Sequence, residues 1–159
     1  MDAYPPETGE TYYDNARAKA VFGRDRARRD EWVLGEDSGI EVEGLGWRPG
    51  VLSARFGGDD PVGRLLAEVR GNEARRARYV CELVALAPDG RELRGTGVLE
   101  GRIVDDPRGD EGFGYDPIFV PNGEERTVAE LGNDWKRTNS HRARAAAALR
   151  ASVASVPHR

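Results

Sequence analysis

The chain has 159 residues, 38% apolar and 33% charged, with 24 basic against 28 acidic residues and a net charge of −4. That is enough apolar material for one folded domain and too much for a disordered chain, and the acidic balance disfavours a protein built around a nucleic-acid backbone. The single cysteine, Cys81, excludes an internal disulfide framework and a multi-cysteine zinc site. No apolar run reaches membrane-spanning length, and the opening MDAYPPETGE lacks the basic and apolar pattern of a signal peptide. The expectation is a soluble, cytoplasmic protein with a single domain over 1–159.

Thr11, with Asp14 three residues on, reads as a helix start, and Tyr13, Ala16 and Ala20 share one helical face. That helix is expected to fade in the polar run from Arg24 to Arg29. Trp32 to Leu34 reads as a short buried strand ending at Glu36-Asp37-Ser38-Gly39, and the alternation around Ile40 and Val42 as a second strand. Gly44 to Gly50 reads as loop. Asp60-Pro61 opens a helix with Leu65, Leu66 and Val69 on its apolar face. Tyr79 to Ala87 is apolar enough for a central strand; Pro88-Asp89-Gly90 is a turn, and Leu93 to Val104 returns as strand. Asp105 to Asp116 is Gly/Asp-dense loop and Pro117 to Val120 is strand. Thr127 with Glu130, and then Ser140, cap two last helices, and 156–159 are expected to fray. Strands and helices alternate without a linker, so the class is α/β. The chain opens on Pro5, Pro6 and Gly9, which look like a connector with nothing before it; this suggests a missing first strand and helix.

Three stretches carry chemistry. Glu36-Asp37-Ser38-Gly39 places two carboxylates at a strand end, where α/β sheets bind ligands, and carboxylates there can hold Mg²⁺ or activate water; Asp-Ser-Gly is equally a common turn. Gly112-Phe113-Gly114-Tyr115-Asp116-Pro117 offers aromatic faces for a base and a carboxylate for a ring or a ribose, or else an aromatic plug. Ser140-His141-Arg142 sets two side-chain donors at a helix N-terminus, a natural anion site, with Lys136 just upstream, or else is a solvated basic helix end. Of the 24 basic residues 22 are Arg, and only Lys19 and Lys136 are Lys. In so Arg-biased a chain these two either mark places where a compact ammonium serves and a planar guanidinium does not, or fall where they do by chance. Cys81, in an apolar strand, reads as an inert core residue.

Taken together, Glu7-Thr8-Gly9, Asn15-Ala16, Lys19-Ala20, Glu36-Asp37-Ser38-Gly39, Arg48-Pro49-Gly50-Val51, Ser53-Ala54-Arg55, Gly112 to Pro117, Ala129-Glu130-Leu131, Lys136 and Ser140-His141-Arg142-Ala143 resemble the inosine-triphosphate pyrophosphatase family, the non-canonical purine XTP/dITP diphosphatases, in number, order and spacing. The resemblance implies an α/β fold with a mixed central sheet flanked by helices, two lobes and a substrate cleft between them. It also implies Mg²⁺-dependent hydrolysis of ITP, dITP or XTP to the monophosphate and pyrophosphate, by a homodimer; the composition adds the expectation of a cytoplasmic protein with no nucleic-acid or membrane partner. By the same resemblance Asp37 is proton acceptor and metal ligand and Glu7 the second metal-side carboxylate. Ser38, Phe113, Gly114, Tyr115, Asp116, Lys136, His141, Arg142 and Lys19 contact the nucleotide. The family opens with a strand and a Thr/Ser-Gly-Asn-x-x-Lys phosphate loop ahead of the Pro5-Pro6-Glu7 connector; the expectation is a start placed after that unit, in a chain read as N-terminally truncated. The competing readings are a non-catalytic relative that binds nucleotide or a partner subunit, an RNA-binding module using the Arg-rich segments, and a pyrophosphatase for pyrimidine or modified-base triphosphates.

Overall fold

The computed structural model describes residues 5–155; the tail 156–159, with His158, lies outside them. The elements in chain order are α1 (Tyr12–Arg24), β1 (Val33–Val42), β2 (Arg48–Pro49), α2 (Ser53–Phe56), α3 (Pro61–Val69), β3 (Arg76–Leu86), β4 (Glu92–Ile103), β5 (Phe119–Pro121), α4 (Val128–Asn139) and α5 (His141–Ala154). The fold is α/β. The strands form one sheet in the order β2-β1-β3-β4-β5. Every pairing among the described residues is antiparallel, whereas the family resemblance led to an expectation of a mixed sheet. The hairpin from β3 to β4 through Pro88-Asp89-Gly90 accounts for the longest of these ladders. No described helix is long and apolar enough to cross a membrane.

The caps read from the sequence are in place. Thr11 and Asp14 form a reciprocal capping box at α1, as do Thr127 and Glu130 at α4, and the Ser140 hydroxyl accepts from Ala143 N at α5. Three stretches depart from expectation. In 32–34, read as a short buried strand, Trp32 lies outside β1 and both Trp32 and Leu34 are exposed; 44–50, read as loop, contributes β2 to the edge of the sheet; the third bears on the site. Glu36-Asp37-Ser38-Gly39 is no turn: β1 runs unbroken through it and pairs with β3 from Val33 opposite Leu86 to Val42 opposite Ala77. Strand geometry sends alternate side chains to opposite faces, so the polar groups of 36 to 38 are shared between two layers, and each finds a partner there.

Gly35, Asp37, Val84 and Glu82 face α1; Glu36, Ser38, Leu83 and Cys81 face α5. Both helices approach the sheet over glycine. A Cβ on Gly35 would lie 2.0 Å from Ala16 O, and one on Gly97 would lie 2.0 Å from His141 O. The small residues Ala16, Ala20 and Ala145, all fully buried, make the helix side of these contacts. Beyond α5 the same sheet face carries the main core, where Ile40, Tyr79, Leu99, Ile103 and Phe119 pack with Leu65 and Val69 of α3. This three-layer sandwich leaves no room for added volume at the glycines. Gly97→Ala is expected to cost about 2–3 kcal/mol through displacement of α5, measured as a lower denaturation midpoint in urea with the slope unchanged.

Candidate functional site

On the α1 face, Asp37 is only 5% exposed. Asn15 Nδ2 donates to its Oδ2 at 3.1 Å, and Lys19 Nζ donates to its Oδ1 at 3.0 Å. Asn15 is aimed by its own acceptor bond from Gly9 N, at 2.8 Å. Lys19 Nζ also reaches Glu7 Oε1 at 2.5 Å and the Glu36 carbonyl at 3.0 Å, and Arg55 holds the Glu7 backbone carbonyl at 3.2 Å. Burial pushes the Asp37 carboxyl up from its ordinary pKa against the hydrogen bonds of Lys19 and Asn15, which pull it down. Burial lowers Lys19, but its bonds to Glu7 and Asp37 outweigh this and raise it.

Among the described residues no group of three or more His, Cys, Asp or Glu side chains is placed to hold a metal ion. The oxygens that converge here are two carboxylates and one backbone carbonyl, gathered around the Lys19 ammonium. That set suits a hard cation such as Mg²⁺, which takes one or two protein carboxylates and fills its remaining positions with water and substrate phosphate. A wide groove of about 850 Å³ opens beside it, lined in part by Glu7, Lys19, Gly35, Glu36 and Arg55.

On the opposite face Arg142, in the first turn of α5, donates from Nη2 to Ser38 Oγ at 2.9 Å and from Nε to Glu36 Oε1 at 3.2 Å. Cys81 Sγ lies 3.6 Å from the same Glu36 oxygen; burial pushes its thiol up to about 12, so it stays protonated and unreactive. Further along this face a pocket of about 220 Å³ is bordered by Ser38, Phe113, Gly114, Lys136, His141 and Arg142, with Tyr79, Tyr115 and Asp116 in its walls.

Phe113 is 64% exposed, with Lys136 Nζ 4.4 Å and Arg142 Cζ 5.3 Å from its ring centre. It is a free aromatic face backed by two cations. Tyr115, expected to offer a second face, is instead buried, and its hydroxyl donates to Ser53 O at 2.9 Å, pinning the loop to α2. Asp116, read as an acceptor for a ring or a ribose, is buried with both oxygens engaged. Tyr79 Oη donates to Oδ1 at 3.0 Å, while Phe113 N at 3.0 Å and Lys136 Nζ at 2.6 Å donate to Oδ2. Its carboxylate fastens the aromatic loop and aims Lys136. The bend that brings the loop back requires glycine at 112, where φ is +83° and a Cβ would meet Asp116 Oδ2 at 2.2 Å.

Two supports were not legible in the sequence. α4 breaks at Gly132 (φ 87°), and Glu111 reaches from the loop to accept from Asn133 N at 2.7 Å, capping the half-helix that carries Lys136. Tyr79, read as one residue of an apolar run, is the second. Its ring stacks on His141 with centres 4.7 Å apart and planes 10° from parallel. The sequence carried a signal for neither, since each depends on a partner more than 20 residues away.

His141, expected as an anion donor, is 6% exposed, and its Nδ1 has no hydrogen-bond partner among the described residues. Burial, with help from Arg142 and Lys136, pushes its pKa down to about 3. At neutral pH it is therefore an uncharged ring that completes the pocket floor, and the positive charge belongs to Arg142 and Lys136. An unfolded chain takes up this proton below about pH 6.5 while the folded one refuses it, so stability falls as pH drops from there towards 3. His141→Phe, which keeps a ring on Tyr79 and does not titrate, is expected to flatten the pH dependence of unfolding between about pH 6 and pH 4 by up to about 1.4 kcal/mol per pH unit, read from urea melts across that range.

Comparison with known proteins joins this geometry to a family. Residues 1–152 match the model of the Ham1 family. The dITP/XTP pyrophosphatase of Deinococcus deserti is 45% identical over 153 residues, covering 93% of this chain and 72% of the relative. That of Bdellovibrio bacteriovorus is 42% identical, covering 95% and 79%. The structure of the Staphylococcus aureus Ham1 protein superposes with a TM-score of 0.86 at 34% identity, over 94% of this chain and 79% of that one. The motifs met along the sequence, the three-layer fold and these matches agree: the chain belongs to the Ham1 family.

Proposed function

We propose that this protein hydrolyses the α–β phosphoanhydride of non-canonical purine nucleoside triphosphates (ITP, dITP and XTP), releasing the monophosphate and pyrophosphate. The observation that carries this reading is the placement of Asp37 and Ser38. Adjacent on β1, they face opposite sides of the sheet, the first into the oxygen cluster and the second into the aromatic pocket. A nucleotide with its base against Phe113 would have its phosphates cross the edge of β1 towards Asp37 and Lys19. The names of the relatives, dITP/XTP pyrophosphatases, support the same substrate class.

Phe113 stacks on the base. Lys136 and Arg142 have only donors to offer, so they donate to a keto oxygen on the six-membered ring and meet an amino group donor to donor. That penalises adenine, because a polar group is left unpaired on each side. Ser38 and Arg142 hold the sugar-phosphate side of the pocket mouth, and Lys19 and Arg55 line the groove that receives the phosphates. Glu7 and Asp37 are the residues that would hold Mg²⁺, which would supply charge neutralisation for the leaving pyrophosphate. Asp37, set by Asn15, takes the proton of the attacking water as the α–β bridging bond breaks. We take the protein to act in the cytoplasm on the free nucleotide pool, as a homodimer.

The test is pyrophosphate release by the purified chain with Mg²⁺, offered dITP, XTP, dATP and dGTP in parallel. Release from dITP and XTP is expected at least about a hundredfold faster than from dATP, and Asp37→Asn is expected to lower it by about a thousandfold with the fold intact by circular dichroism. Lys136→Met is expected to narrow the dITP over dATP preference by about tenfold, mostly through KM. Absence of release from the folded chain, or equal release from dATP, would overturn the reading.

A further inference from the structure

Lys19 stands in an unusual position for a residue that is to bind phosphate. Its ammonium has three protons and three oxygen partners: Glu7 Oε1 at 2.5 Å, Asp37 Oδ1 at 3.0 Å and the Glu36 carbonyl at 3.0 Å. Its hydrogen-bonding capacity is filled, by the same oxygens that suit a divalent cation. A metal that bonds oxygens at about 2.0–2.1 Å cannot share this triangle with an ammonium, because the two positive charges would sit within a few ångströms of one another in a partly buried site. The lysine side chain is 20% exposed and borders the open groove of about 850 Å³. It has both somewhere to go and a flexible four-carbon stem to get there.

Resting on the metal-dependent reading above, we propose that Lys19 is a built-in counter-cation. It closes the Glu7–Asp37 pair against divalent metal while the groove is empty, and transfers to phosphate oxygens when a triphosphate arrives. The exchange is of cations only, with no bond made or broken. Glu7 and Asp37 give up an ammonium, and the phosphates that take it bring the metal's remaining ligands with them. Metal and nucleotide therefore bind as a coupled pair, each weakly without the other. In this Arg-rich chain an Arg at position 19 would not do the same work: a planar fork bound to two carboxylates is harder to withdraw and does not fit three converging oxygens.

The experiment titrates the full chain with Mn²⁺ at fixed pH and ionic strength, followed by electron paramagnetic resonance and calorimetry, with and without an α,β-methylene analogue of dITP that cannot be cleaved. In the wild type, Mn²⁺ alone is expected to bind weakly and to tighten by about tenfold or more with the analogue. Lys19→Met is expected to bind Mn²⁺ alone about tenfold more tightly than the wild type and to gain little further from the analogue. Lys19→Gln, which removes the charge and keeps hydrogen bonding, gives the same order should the methionine variant fold poorly, and the rise in melting temperature on adding Mn²⁺ is expected to be larger in either variant than in the wild type. If both variants bind Mn²⁺ alone no more tightly than the wild type, while the wild type with analogue binds it well, the counter-cation role is wrong and the metal-dependent reading stands. If the wild type binds no Mn²⁺ even with the analogue, the metal-dependent reading falls and this inference with it.

Discussion

The site depends on β1 remaining a strand through Glu36, Asp37 and Ser38. A run of charged and hydroxyl residues beside glycine favours a turn when its polar groups have nothing else to bond. Here each has a partner from a different part of the chain. Asp37 is taken by Asn15 and Lys19 of α1, Glu36 and Ser38 by Arg142 of α5, and the backbone by β3 along the full length of the strand. With those partners in place the extended form costs no unsatisfied buried group, and the period of two distributes neighbouring residues to opposite layers.

The helices that supply these partners lie close against the sheet at its glycines. Gly35 under α1, and Gly95 and Gly97 under α5, admit helix backbone where any side chain would collide. The fully buried alanines on the facing helix surfaces are small enough to keep that approach. The closeness shortens the reach needed by Asn15 and Arg142 and so bears directly on the site. The glycines that read as weak strand formers in isolation are the spacing elements of the sandwich.

Charge is handled with the same economy. Both lysines of the chain end on buried carboxylates, Lys19 on Asp37 and Lys136 on Asp116. The arginines form mostly exposed pairs of small energetic weight. A point charge on a flexible stem meets a single carboxylate oxygen in a confined space, and a guanidinium prefers an open, bidentate approach. The imbalance of 2 lysines against 22 arginines thus had a structural counterpart at both positions.

Local chemistry wrote much of this into the sequence. The caps at Thr11, Thr127 and Ser140, the Pro61 helix start, the turn at Asp89-Gly90 and the long apolar strand depend on residues within a few positions of each other, so their physics is complete in a short window. The motifs that border the pocket were legible as short patterns for the same reason. What only the tertiary structure decided are the states of groups whose partners are distant. It made Glu36 to Ser38 a strand instead of a turn, sealed Tyr115 instead of displaying it, and spent both oxygens of Asp116 on Tyr79, Phe113 and Lys136. It also stripped His141 of its charge by stacking it, buried, on Tyr79. Burial and long-range pairing set the energy of a polar group by what surrounds it in space, and a linear sequence holds that information only once it has folded.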